Sequence, residues 1–204
     1  MSTTTSSRKL TIDDIADQRA YDRERDAYRA EVIALKKVRR VHVGPILTLL
    51  FENATTIRFQ VQEMARAEKI ASDDGIQTEL DMYNPLVPEP GHLAGTLFLE
   101  LVDDDQLREW LPKLVGIERA LVLRIGNGDD VADVRCVVDA EHDKQLTRDE
   151  TTASVHYVHF SFSEAEVARF EAELVTLVSD HPNYAFQAVL TQETVASLLT
   201  DLLP

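Results

Sequence analysis

Apolar and polar positions recur along this chain with two different periods. From about Ala20 to Arg39, Tyr21, Tyr28, Val32 and Leu35 fall on one narrow stripe of a 3.6-residue repeat, flanked by Ala27, Ala34 and Val38. Most other positions there are charged, with Asp22/Arg25 and Asp26/Arg29 spaced i, i+3. The spacing predicts a long charged helix, lying on the surface or paired with a second helix. Lys36, Lys37, Arg39 and Arg40 close it, and cations complement the dipole at a helix C-terminus. Ahead of it, Thr11 and Asp14 have the spacing of a capping box, which predicts a short helix over 12–17.

Val41 to Glu52 is apolar and rich in β-formers, broken at Gly44-Pro45. Ile57, Phe59 and Val61 then alternate with Arg58, Gln60 and Gln62. The alternation predicts a strand over 55–62, in a hairpin turning at Asn53-Ala54, followed by a helix over 63–70. Ile57, Val61, Met64 and Ala65 also fit a helix starting at Thr56. A further helix is expected over 74–83, and a long loop over 84–95, where three prolines and two glycines fall. Beyond it the pattern predicts strands over 94–102, 118–125, 131–138, 154–162 and 174–179. Helices are predicted over 103–115, from the Ser163 cap with Glu166 three positions on, and from the Thr191 cap to about Leu203. Strands and helices mix without a βαβ rhythm. The expected class is therefore α+β, a largely antiparallel sheet with packed helices and a long charged N-terminal helix. Residues 1–8 read as a disordered tail, and 9–204 as a single α+β domain with 9–40 as an N-terminal helical arm.

Charge adds an asymmetry. The chain of 204 residues carries 21 Lys and Arg against 36 Asp and Glu, a net −15. Residues 8–40 hold 10 basic and 7 acidic side chains, leaving 11 and 29 for the remainder. An acidic body of this kind is repelled by nucleic acid and by anionic membrane. The basic end suggests a docking surface at Lys36, Lys37, Arg39 and Arg40. No apolar run is long enough for a membrane span, and Met1 to Ser7 lacks the apolar core of a secretory signal. The single Cys136 forms no internal disulfide and cannot hold a four-thiolate cluster. The chain reads as cytoplasmic.

Candidate chemistry is sparse. Gly126-Asn127-Gly128 is a hairpin turn rather than a phosphate loop. His156 and His159 fall on opposite faces of a predicted strand. Glu89-x-x-His92 has the spacing of a di-iron ligand pair, but stands between prolines and has no second copy, so no metal site and no cofactor are expected. The six histidines are His42, His92, His142, His156, His159 and His181. Cys136, mid-strand, reads as a buried inert thiol. Two polar groups remain. Gln62, Glu63 and Arg66 stand at a strand-to-helix junction, and His181 stands in Asp180-His181-Pro182-Asn183-Tyr184, otherwise a Pro-Asn turn. If they converge, His181 and Glu63 would act as catalytic groups while Arg66 and Gln62 hold an anionic substrate.

Several motifs together carry a resemblance. Lys9-Leu10-Thr11, Val43-Gly44-Pro45, Phe51-Glu52-Asn53, the run from Phe59 to Glu68, Tyr83-Asn84-Pro85-Leu86, Glu109 to Leu114 and Asp180-His181-Pro182 resemble the bacterial domain-of-unknown-function family 3501, over about 9–203. The resemblance implies no catalytic residue. It implies a setting beside a rubrerythrin-like protein and an iron–sulfur oxidoreductase, in peroxide or redox stress. Two readings stand: an accessory partner of such a redox module, docking through the basic cluster, and a small-molecule or metal-dependent enzyme with a polar pocket at Glu63, Arg66 and His181. The sequence leaves homo-oligomerisation open.

Overall fold

Thr11 opens the described secondary structure in a computed structural model that describes residues 8–138 and 150–204. The tail expected over 1–8 lies outside the described residues except for Arg8, whose guanidinium donates to the carbonyls of Asp201 and Leu203. His142 also lies outside them. Asp14 accepts from the Thr11 amide and hydroxyl at 2.7 and 2.9 Å. The pair closes a 3-10 turn, Ile12–Asp14, rather than the helix expected to 17. The Asp17 carboxylate then caps α1, Gln18–Arg39.

The chain continues through β1 (Arg40–Val43) and β2 (Leu47–Glu52), then α2 (Ala54–Glu68) and α3 (Asp73–Tyr83). β3 (His92–Leu99) and α4 (Asp104–Lys113) precede the hairpin of β4 (Leu121–Asn127) and β5 (Asp130–Arg135). β6 (Val155–Ser161), α5 (Glu164–Ala172), β7 (Val175–His181), β8 (Tyr184–Val189) and α6 (Gln192–Leu202) complete it. The strands form two antiparallel sheets ordered β1-β2-β3-β6 and β5-β4-β7-β8. The class is α+β, as the mixed pattern implied.

The largest departure from expectation is α2. No strand forms over 55–62. Asn53 accepts from the Thr56 amide through Oδ1 at 3.0 Å, while the Thr56 hydroxyl accepts from the Asn53 amide at 2.9 Å. This reciprocal cap starts a helix. Ile57, Val61 and Ala65, at i, i+4 and i+8, are then buried. Ile57 and Val61 pack with Leu80, Leu86, Val87 and Ala94. The loop expected over 84–95 is shorter, because a 3-10 turn fills Asn84–Leu86 and β3 begins at His92. β8 is an element the periodicity missed.

Alternation along the strands builds the main core. Leu47, Leu49 and Phe51 of β2, with Leu93 and Leu97 of β3, share it with Leu121 and Leu123 of β4 and Leu177 of β7. The two sheets therefore bury one face each against the other. One open side is stitched by reciprocal main-chain bonds between Val137 and His159, 2.8 and 2.9 Å. On the other, buried Tyr184 donates to the Val43 carbonyl at 2.8 Å and accepts from the Ile46 and Leu47 amides. Gly44 allows this closure. Its φ is +71°, and a Cβ there would stand 2.6 Å from the Phe186 ring.

Candidate functional site

The residues selected from sequence come to three separate places. The first is the seam between α1 and α2. Glu63 accepts from the Tyr21 hydroxyl at 2.7 Å, and from Arg25 Nε and Nη2 at 2.8 and 2.7 Å. Arg66 donates to Asp22 at 2.9 Å. Asp22 and Arg25 are thus paired across the seam rather than with each other. Gln62, 3% exposed, exchanges two hydrogen bonds with the main chain of Ala16. The Arg25 guanidinium, outweighing partial burial, holds the Glu63 carboxyl down at about 2. A carboxylate so acidic is a weak base, and its oxygens are already engaged. Gln62 and Arg66 border a crevice of about 210 Å³ beside Ile12, Ile15 and Ile76.

The second place is the β7–β8 turn. His181 pairs with Tyr184 across Pro182-Asn183, in register with β8. Its Nε2 donates to the Val115 carbonyl at 3.1 Å and its Nδ1 accepts from the Asn183 amide at 3.2 Å. The Asn183 side chain donates to the Lys113 carbonyl. This segment fastens the turn to the end of α4, and both ring nitrogens are used in doing so. His181 does not border the Gln62–Arg66 crevice. Cys136 lies in the main core, its thiol pushed up to about 11 by burial, and donates to the Glu118 carbonyl at 3.2 Å. It is a poor nucleophile at neutral pH.

The third place is the end of α1. Arg39 is 0% exposed. It donates to the carbonyls of Phe51, Glu52 and Ser197 and pairs with Asp201. It cannot belong to an exposed cationic surface. Lys36 and Arg40, one turn apart, instead rim a cleft of about 260 Å³ on the outer face of the first sheet. The register builds its floor from Leu50, Thr96 and Tyr157, successive cross-strand neighbours on β2, β3 and β6, with Arg40 of β1 next to Leu50 at the rim. Ile57 and Gln60 of α2, with Tyr83 and Leu86, form the opposite wall. Lys36 lies 5.8 Å from the Phe59 ring centre and Arg40 5.6 Å from that of Phe98. Arg40 also meets Glu100 at 3.3 Å.

Inside the cleft stands Glu52, a residue that sequence reasoning passed over. Its sole sequence signal is a carboxylate ending an apolar β run. It is 5% exposed, and its Oε1 accepts from the Thr96 hydroxyl at 2.9 Å. Its Oε2 is buried and meets no donor. Desolvation raises the nearby Tyr157 phenol, and Tyr83 and Glu52 add to this. Among the described residues no group of three or more His, Cys, Asp or Glu side chains is arranged to hold a metal ion. Among them, too, no helix is long and apolar enough to cross a membrane.

Fold and site together define a small α+β protein whose two antiparallel sheets share a core, with a helical cap that leaves a polar, cation-rimmed cleft. The chain belongs to the family described as protein of unknown function (DUF3501), which matches residues 9–202. It is similar to a crystal structure from Burkholderia pseudomallei, described as a novel protein of unknown function. Identity is 40%, with 95% of this chain and 99% of that chain covered, at a TM-score of 0.86. No curated protein matches the chain.

Proposed function

We propose that this protein works by binding, and that Lys36, Lys37 and Arg40 are its docking surface for an acidic partner. The observation that carries the reading is the placement of Lys36 and Arg40 side by side on the rim of the cleft, with exposed Lys37 beside them. The rest of the chain is strongly acidic, so this basic end attracts an acidic face. The setting implied by the family resemblance makes the partner an iron–sulfur oxidoreductase or a rubrerythrin-like protein, in a redox-stress module of the cytoplasm. The enzyme reading has less support, because Glu63 and His181 spend their polar atoms on the fold.

Anaerobic co-purification from the native host tests it. The tagged protein should recover one of these partners in fixed proportion. The yield should fall as salt rises, because exposed charges are screened. Reversing Lys36, Lys37 and Arg40 to Glu, with Arg39 untouched, should abolish recovery. Equal recovery by the reversed protein overturns the docking surface.

A further inference from the structure

We propose that the cleft between the first sheet and α2 binds a small ω-amino carboxylate, with its ammonium on Glu52 and its carboxylate at Lys36 and Arg40. This goes beyond the docking reading: it shares Lys36 and Arg40 with that surface and adds Glu52.

The argument starts from Glu52. A buried carboxylate oxygen without a donor calls for an explanation; Glu52, Glu79 and Glu118 each have one, and of the three it is Glu52 that borders this cleft. Its Oε1 is fixed by Thr96. Glu52 borders the cleft and its terminal torsion is soft, so rotation of the carboxylate, with the Thr96 hydroxyl still at hand as a donor, presents an oxygen to the cleft. An ammonium there would supply the missing donor and neutralise the charge. At the rim the sign reverses. Lys36 has no carboxylate partner among the described residues, and Arg40 shares Glu100 at 3.3 Å in an exposed pair. The Lys36 ammonium stands over the Phe59 ring and the Arg40 guanidinium over that of Phe98, which holds both charges at the mouth.

Between the two ends, Leu50, Ile57 and Leu86 offer apolar wall suited to methylenes. The volume of about 260 Å³ holds roughly eight or nine water-sized groups. That matches a short chain with one charge at each end. Two cations at the rim disfavour a diamine, and the carboxylate inside disfavours a dicarboxylate.

Titration calorimetry with 4-aminobutyrate and 6-aminohexanoate tests the proposal, with 1,4-diaminobutane and glutarate as controls. At least one amino carboxylate should bind, and more tightly than either control. Glu52→Gln should weaken that binding by about tenfold or more, the loss expected for a charge-assisted hydrogen bond. Thermal unfolding of this variant separates lost binding from lost folding. Gln60→Trp fills the cleft from its α2 wall, leaves Glu52 itself unchanged, and should abolish binding in a folded protein. Glutarate binding as tightly as the amino carboxylates, an unchanged affinity in Glu52→Gln, or no heat from any probe at about 10 mM each overturns it. Lys37→Glu distinguishes the two proposals. Lys37 is exposed and does not border the cleft, so its reversal should weaken partner recovery and leave amino-carboxylate binding unchanged.

Discussion

Glu63 is a carboxylate chosen by its neighbours. Beside Gln62 and Arg66 it looks like part of a polar site; in the fold it is the acceptor that ties Tyr21 and Arg25 of α1 to α2. Those bonds set its acidity. The carboxyl titrates near 4.5 when unpaired and near 2 when Arg25 holds it. A lowered folded value means that the contribution to stability is complete above about 4.5 and is lost as pH falls toward about 2. Glu63→Gln should therefore be less stable than the parent at pH 7, by about 1 kcal/mol after allowing for partial exposure. The two should converge at the acid end of that range. Urea unfolding at pH 7 and at about pH 2 measures both. His181 has a similar history: the Pro-Asn turn beside it was legible, and its bonds to Val115 and Asn183 were not.

At the scale of elements, the instructive case is 54–68. Residues 57–62 satisfy a period of two and a period of 3.6 at once. The choice falls to Asn53, whose side chain and amide both bond Thr56, and to the apolar surface of Leu80, Leu86 and Val87 waiting for Ile57 and Val61. Helix formation also brings Phe59 against Tyr28 edge-on at 5.9 Å. Asn53→Ala should cost about 1 kcal/mol, read as a lowered urea midpoint with an unchanged slope. β8 was missed for the opposite reason. It is a sheet-edge strand with Ala185, Phe186, Gln187 and Val189 all exposed, so burial imposes no alternation on its sequence. The hairpin of β4 and β5 and the caps at Ser163 and Thr191 were readable because their chemistry is local.

At the scale of the whole molecule, Arg39 joins three parts of the chain. Its guanidinium reaches the end of β2 at Phe51 and Glu52, and α6 at Ser197 and Asp201. Burial pushes the Asp201 carboxyl up while Arg39 and Arg8 pull it down. Arg39→Met should leave Asp201 buried without its main partner and cost about 3–5 kcal/mol. Adding Asp201→Leu should recover most of that loss, so a urea-unfolding double-mutant cycle is expected to show strong coupling. The sequence placed Arg39 with Lys36, Lys37 and Arg40 as one basic cluster, since a run of cations ending a helix looks uniform from within. Which of them turns inward is decided by what packs against that helix.

The sequence by itself determined the α+β class, the long charged helix, most strands, the caps and turns, the buried thiol and the family. These depend on forces acting between residues a few positions apart, or on burial periodicity that leaves its mark on the chain. Only the tertiary structure decided that 55–62 is helical, that Arg39 is buried, that Glu63 pairs with an arginine 38 positions away, and that Glu52 borders a cleft with a buried oxygen that meets no donor. A side chain's partner is set by which surfaces meet when apolar faces are buried, and residue type alone does not carry that information.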